Sequence, residues 1–192
     1  GFDYTITGHA YKCTDCPDQP NISDYDNYSV STIVGKQGAR GSLDETGLNA
    51  TFNHPLDITS DTLGNLYIVS QHAGLVRKID NHYNVTTLAD DFNEPLGIAV
   101  DKSNNVYVSN TKNHTIHKIE PLGNVTIFAG IEGEPGSNDG NVSTAKLRYP
   151  HGLAFDNYGN LYVASSSSTT GNDGDNTIRK IDPSGNVTTI AG

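Results

Sequence analysis

Pro95-Leu96-Gly97-Ile98-Ala99-Val100-Asp101, Val106-Tyr107-Val108-Ser109, Ile116-His117-Lys118-Ile119 and Val125-Thr126-Ile127-Phe128-Ala129-Gly130 follow one another as four short apolar runs separated by turn residues. β-Branched and aromatic side chains dominate the runs, which is the signal of strands joined by hairpins. The same succession is found on either side, so that units open at Pro55, Pro95 and Pro150 and close at Ala89, Gly130 and Gly192. In the third unit the runs are Gly152-Leu153-Ala154-Phe155, Leu161-Tyr162-Val163-Ala164, Thr177-Ile178-Arg179-Lys180-Ile181 and Val187-Thr188-Thr189-Ile190. Self-similarity at this period implies stacked sheet modules rather than one ordinary core.

The turns between runs have a physical reason. Gly64, Asn104 and Gly159 occupy one place in the three units, and these residue types enter left-handed backbone space at little cost. Asn84, Asn124 and Asn186 stand just before the last run of each unit, where a tight hairpin is expected.

With these residues in view, the chain resembles the NHL-repeat family from about Val30 to Gly192. The resemblance implies an all-β fold, a β-propeller whose four-stranded blades are the three units. The expected domains are a cysteine-containing segment over 1–29 and propeller blades over 30–192, with blades at 53–89, 93–130 and 148–192. Val30-Ser31-Thr32-Ile33-Val34-Gly35 repeats the last run without a blade before it. Residues 30–35 are therefore expected to be a closing strand that completes another blade. Propellers have about 4–8 blades, so three blades and one strand make a partial propeller. The expectation is that the chain is a piece of a longer polypeptide; closure by several chains is the alternative. The initial Gly and an end at a unit boundary fit an excised segment.

Apolar residues make up 34% of the 192 residues, and the 20 glycines bring the total near the ordinary globular share. The core must then be thin layers between blades. No run approaches the ~18–20 apolar residues of a membrane span, and no signal peptide is visible; in a secreted protein that signal would lie upstream or have been removed.

Eight Asn-x-Ser/Thr sequons, at Asn21, Asn27, Asn49, Asn84, Asn113, Asn124, Asn141 and Asn186, point to an N-glycosylated protein that is extracellular or at the cell surface. The turn grammar of the repeat alone generates Asn84, Asn124 and Asn186; it does not generate the other five.

The first 29 residues hold both cysteines, in Cys13-Thr14-Asp15-Cys16-Pro17. This stretch resembles the end of a small EGF-like module. Structural disulfides, between Cys13 and Cys16 or with partners upstream, are expected. A redox pair lacks its strand-to-helix setting, and half a zinc site lacks two ligands. Phe2-Asp3-Tyr4-Thr5-Ile6-Thr7 alternates with period two; it reads as a connecting strand, or as one that adds to the edge of another module or molecule.

Two long connections, Gly35 to Pro55 and Gly130 to Pro150, align at Gly38/Gly133, Gly41/Gly136, Ser42/Ser137, Asp44/Asp139 and Ala50/Ala145. As loops between blades they are the first expectation for a binding surface. The insertion from Ser165 to Asn176 is polar and Gly-rich and reads as a flexible loop. Asp173 and Asp175 within it offer oxygen ligands for Ca2+ but lack the EF-hand spacing.

The net charge of −10 argues against the phosphate electrostatics of nucleic-acid binding. The family resemblance extends to secreted amidating lyases with zinc-binding histidines. Here His9, His54, His72, His82, His114, His117 and His151 show no recognised ligand spacing, so packed or surface histidines and no metal are expected. No nucleophile elbow, phosphate loop or paired-carboxylate motif is present. Arg77, Lys78, Lys118, Arg179 and Lys180 recur on one run of each unit, which favours a structural role such as pairing with carboxylates.

Taken together, the sequence predicts a non-enzymatic structural or interaction module of an extracellular glycoprotein. A segment of a surface filament or matrix assembly is its most specific form. No cofactor beyond N-linked glycans is expected, and the partners would be other copies, other extracellular proteins or glycans. The alternatives are a ligand-binding receptor propeller for protein or glycan, and a metal-dependent propeller lyase or hydrolase.

Overall fold

The computed structural model describes residues 29–166 and 175–192. Each repeat is one antiparallel sheet, because each pair of adjacent runs is joined by a connection short enough for antiparallel neighbours. The first blade is β1 (Pro55–Ser60), β2 (Leu66–Ser70), β3 (Leu75–Ile79) and β4 (Val85–Ala89). The second is β5 (Pro95–Val100), β6 (Val106–Asn110), β7 (Thr115–Ile119) and β8 (Val125–Ala129). A two-residue strand, β9 (Gly140–Asn141), precedes the third blade, β10 (Pro150–Phe155), β11 (Leu161–Ser165), β12 (Thr177–Ile181) and β13 (Asn186–Ala191). Strand order follows the chain in all three sheets, and β9 adds to the outer edge of the third beside β13. The first strands of successive blades neighbour one another, β5 meeting β1 and β10 meeting β5, which is the stacking of a partial propeller.

Register is the same in every blade. A bulge interrupts the third and fourth strands between Val76 and Arg77, Ile116 and His117, and Ile178 and Arg179. It leaves Leu88, Phe128 and Ile190 as extra residues. Bulges of this kind re-aim side chains, and here Leu88 and Phe128 pack against the cores between blades.

Those cores are thin, as the composition requires. Val69, Val76, Ile98, Val106 and Val108 fill the space between the first and second blades. Tyr107, Ile116, Leu147, Leu161, Val163 and Ile181 fill that between the second and third. A third cluster covers the free face of the first blade, where Val34 and Phe52 of the long connection pack on Ala50, Ile68, Ile79 and Val85. The blades are also stitched by polar contacts: Ile98 N–H donates to Asp57 Oδ2 at 2.9 Å, and Thr111 Oγ1 donates to Pro150 O at 2.7 Å.

Two ends remain open. Ile58 and Ile98 hold the same position in successive blades, yet Ile58 is 57% exposed and Ile98 3%. Ile190, the extra residue of the last bulge, is 51% exposed. Burial of such a side chain is worth about 1.5–3 kcal/mol, which neither Ile58 nor Ile190 gains in full.

Residues 30–35 form no strand. Val30 is fully exposed, and Gly35 N–H donates to Gly47 O at 3.1 Å, within the long connection. The expected closing strand has no partner strand in the described sheets. The Phe2–Thr7 stretch, Cys13, Cys16, Asn21, Asn27 and Asp173 lie outside the described residues. No described helix is long and apolar enough to cross a membrane.

Candidate functional site

The hairpin turns at one end of the blades are built on a single device. Asp61 Oδ1 accepts the N–H groups of Leu63 and Asn65, and its Oδ2 accepts Asn65 Nδ2 and Tyr67 Oη. Asp101 does the same with Ser103, Asn105 and Tyr107, and Asp156 with Tyr158, Asn160 and Tyr162. The residue that closes the turn has positive φ: 84° at Gly64, 61° at Asn104 and 85° at Gly159.

The charge state of these groups follows from that bonding. Burial pushes the Asp61 pKa up, but the bonds from Asn65, Tyr67 and Leu63 outweigh it and hold the carboxyl below its ordinary value. Asp156 is held low chiefly by Asn160. Burial, with Asp61 beside it, pushes Tyr67 up to about 12. These acids are committed as hydrogen-bond acceptors within their own turns.

The second hairpin of each blade repeats the device. Asp80 binds Asn84, Glu120 binds Asn124 and Asp182 binds Asn186. These three asparagines are sequon residues, so the amide nitrogen that would carry a glycan already donates to a carboxylate. Asn49 lies exposed in a short 3-10 turn (Gly47–Asn49). Asn113 is half-buried between Asn93 and Glu132. Asn141 stands directly opposite Asn186 in the ladder of β9 and β13.

The long connections are anchored to their own blades by buried arginines, while most of their residues stay exposed. Arg77 and Arg179 are fully buried. Arg77 donates to Thr51 O, Leu43 O and Asp44 Oδ1, and Arg179 donates to Lys146 O, Asn138 O and Asp139 Oδ1. Asp44 and Asp139 also accept the N–H and hydroxyl of Thr87 and Thr189. Burial raises the Asp139 pKa, but the bonds from Thr189 and Arg179 outweigh it and lower it. Asp175, considered for Ca2+, accepts from Ser137 and Thr177 and lies 3.8 Å from Arg179.

In the second blade, which has the short connection, His117 takes the place of the arginine. It packs edge-on against Phe92 with ring centroids 5.5 Å apart, and burial pushes its pKa down. His54 and His72 stack at 4.1 Å, and His114 Nδ1 accepts the N–H of Tyr149. Among the described residues no group of three His, Cys, Asp or Glu side chains is placed to hold a metal ion.

The blades also differ in the clefts between them. Between the second and third blades a space of about 490 Å3 is lined by Asp101, Ser103, Tyr107, Phe128, Phe155, Asp156, Gly159 and Asp182, among others. Tyr107 forms its floor, edge-on to Phe128 and Phe155 with centroids 4.9 Å from each. The equivalent space between the first and second blades is about 100 Å3. There Leu63, Asn104 and Glu120 stand where the larger cleft has Ser103, Gly159 and Asp182, so smaller rim residues account for the opening. No local pattern in the sequence marks this cleft, because Phe128 reaches it through a bulge that the run Val125 to Ala129 does not announce.

The NHL repeat family matches residues 92–119, the heart of the second blade. Residues 92–119 thus carry one NHL repeat, within a stack of like blades. No curated protein matches the sequence. Among solved structures, an auxiliary nutrient binding protein from Bacteroides thetaiotaomicron is similar at 19% identity and a TM-score of 0.60, covering 83% of this chain and 43% of that one. A virginiamycin B lyase from Staphylococcus aureus is similar at 16% identity and a TM-score of 0.53, covering 72% and 41%. A streptogramin B lyase is similar at 14% and 0.53, covering 80% and 43%. The chain thus spans about two fifths of the length of these structures. At such identities the likeness is one of fold.

Proposed function

We propose that this chain is part of an extracellular, N-glycosylated propeller that serves as a structural and interaction module without catalytic chemistry, within a surface filament or matrix assembly. The contrast between Ile58 and Ile98 carries the reading: a position buried between described blades stands open at the end of the stack. Ile190 repeats the contrast at the other end. Such ends support contact with further blades, from the same polypeptide or from other copies. The recurrent acids and arginines are engaged in holding turns and connections, which supports a scaffold role. Eight sequons support passage through a glycosylating secretory route.

The test is the mass of the mature native protein before and after enzymatic removal of N-glycans. A fall in mass is expected, with a deglycosylated mass above the 20.5 kDa of this chain. An unchanged mass would overturn the glycoprotein reading. A deglycosylated mass of 20.5 kDa would mean that other copies supply the missing contacts.

The cleft of about 490 Å3 favours a second reading, a propeller that binds a ligand. Its aromatic floor and polar rim have the make-up of a small-molecule site. Gly159→Asn would rebuild the rim of the smaller cleft. Fragment screening by crystal soaking should then lose any occupant found in the parent protein, and an equally occupied cleft would count against this reading.

A further inference from the structure

The three sequons that begin the outer strands are equivalent in sequence but not in surroundings. In the first blade the long connection runs beside β4: Val85 N–H donates to Glu45 O at 3.0 Å, Thr87 N–H to Asp44 Oδ2 at 2.8 Å, and Thr46 Oγ1 to Asn84 Oδ1 at 2.7 Å. In the third blade β9 pairs with β13, and Thr189 N–H donates to Asp139 Oδ2 at 3.0 Å. Among the described residues the second blade has no such cover. Val125 is 40% exposed where Val85 and Val187 are 3% and 1% exposed. Ile127 is 47% exposed, and Leu122 in the preceding turn is 99% exposed.

An edge strand with apolar side chains and no cover is a template for pairing with another chain. Asn124 stands at the start of this edge, in the sequon Asn124-Val125-Thr126. It is also the most loosely held of the three. Its Nδ2 lies 3.3 Å from Glu120 Oε2, on a carboxylate that also binds Lys118, whereas Asn84 and Asn186 donate at 2.9 Å and 3.0 Å to aspartates that additionally accept their backbone N–H.

We propose that Asn124 is the N-glycosylated member of the three turn sequons, and that its glycan covers the bare edge β8, which long connections cover in the other two blades. The inference rests on the reading of the protein as an extracellular glycoprotein. The donor class is a lipid-linked diphosphate oligosaccharide. Asn124 Nδ2 bonds to C1 of the reducing-end sugar, the bond from C1 to the diphosphate oxygen breaks, and one amide proton is lost to a base. The remaining N–H still reaches Glu120. A glycan on Asn84 would meet Thr46, and one on Asn186 would meet Asn141, its partner across the ladder, whose Cβ lies at roughly 4.5–5.5 Å in such a pair.

Native protein is deglycosylated enzymatically in heavy-oxygen water and its peptides are mapped by mass spectrometry. The label is expected at Asn124 and absent from Asn84 and Asn186. Label at other sequons with Asn124 unlabelled, or at all three turns alike, would overturn the inference while leaving the glycoprotein reading standing. No label at any sequon would overturn both. The covering role is read separately with Thr126→Ala, which removes the sequon but leaves Asn124 and its turn intact. Concentration-dependent self-association in sedimentation velocity is expected, abolished by adding Ile127→Lys. A monomer unchanged by Thr126→Ala would overturn that role.

Discussion

Nη2 of Arg179 lies 2.7 Å from Oδ1 of Asp139, forty residues earlier in the chain, and the arginine side chain is fully buried. Removing one partner of a buried pair costs about 3–5 kcal/mol, because it strands the other charge. Asp139 is nearly half exposed, so Asp139→Ala is expected to cost less, about 2–3 kcal/mol. Asp44→Ala should act alike through Arg77, and the two should add, since they lie in different blades. Urea denaturation midpoints at neutral pH check both.

Gly97 allows the inner strands of the second and third blades to touch. A Cβ there would sit 2.0 Å from His151 O and 3.2 Å from Gly152 Cα. Gly97→Ala is therefore expected to destabilise by at least the ~1–3 kcal/mol of ordinary overpacking. At Gly152, where the nearest atom to an added Cβ is Ala164 Cβ at 3.9 Å, the same change should move the thermal midpoint little.

The lowered carboxyl pKa values set an acid limit. A group lowered by folding adds stability that is complete above its unfolded pKa, near 3.8 for aspartate, and is lost as pH falls through the folded value. Asp61, Asp139, Asp156 and Asp182 are all lowered. Stability should be level from neutrality to about pH 5 and decline below about pH 4. Tyr67 works in the opposite sense: raised from 10.0 to about 12, it adds stability below pH 10 that is lost as pH rises through 12. Urea titrations across pH, with Asp61→Asn flattening part of the acid limb, check the assignment.

His117 and the short connection belong together. Grafting the Gly130 to Pro150 connection ahead of β5 should stabilise the second blade only when His117→Arg accompanies it, because the guanidinium binds the connection's carbonyls and its aspartate. The coupling expected between the two changes is about 1–2 kcal/mol. Thermal unfolding of both single variants and the double measures it.

Asn141 and Asn186 face each other in one ladder. Two branched glycans cannot extend freely from positions this close. Intact glycopeptide analysis should find no molecule modified at both.

Much of the fold was legible because each blade repeats the same grammar. Three prolines, three left-handed turn positions and four apolar runs led to three four-stranded sheets. The register was less legible. The bulges beside Arg77, His117 and Arg179 follow no pattern in the runs themselves, so the placement of Leu88 and Phe128 in the clefts could be found only in three dimensions. Gly38/Gly133 and Asp44/Asp139 mark the long connections as one type, but not how they are anchored. Their packing depends on contacts with Arg77 and Arg179 more than thirty residues away, beyond the reach of local patterns. Pairing of these arginines with carboxylates was expected from their recurrence; the identity of the carboxylates was not. The closing strand at 30–35 rested on a copy of a strand sequence, and a strand forms only where a partner edge exists.

The arginine clasp also bears on how such a chain can change. Because Asp139, Arg179 and Thr189 bind one another within a single repeat and its own leading connection, that repeat carries its outer cover with it. A duplication or transfer that copies residues 131–191 would move sheet, clasp and edge protection as one cassette, with no matching change needed in the neighbour's outer strand. A repeat with the short connection travels lighter but arrives with its edge uncovered.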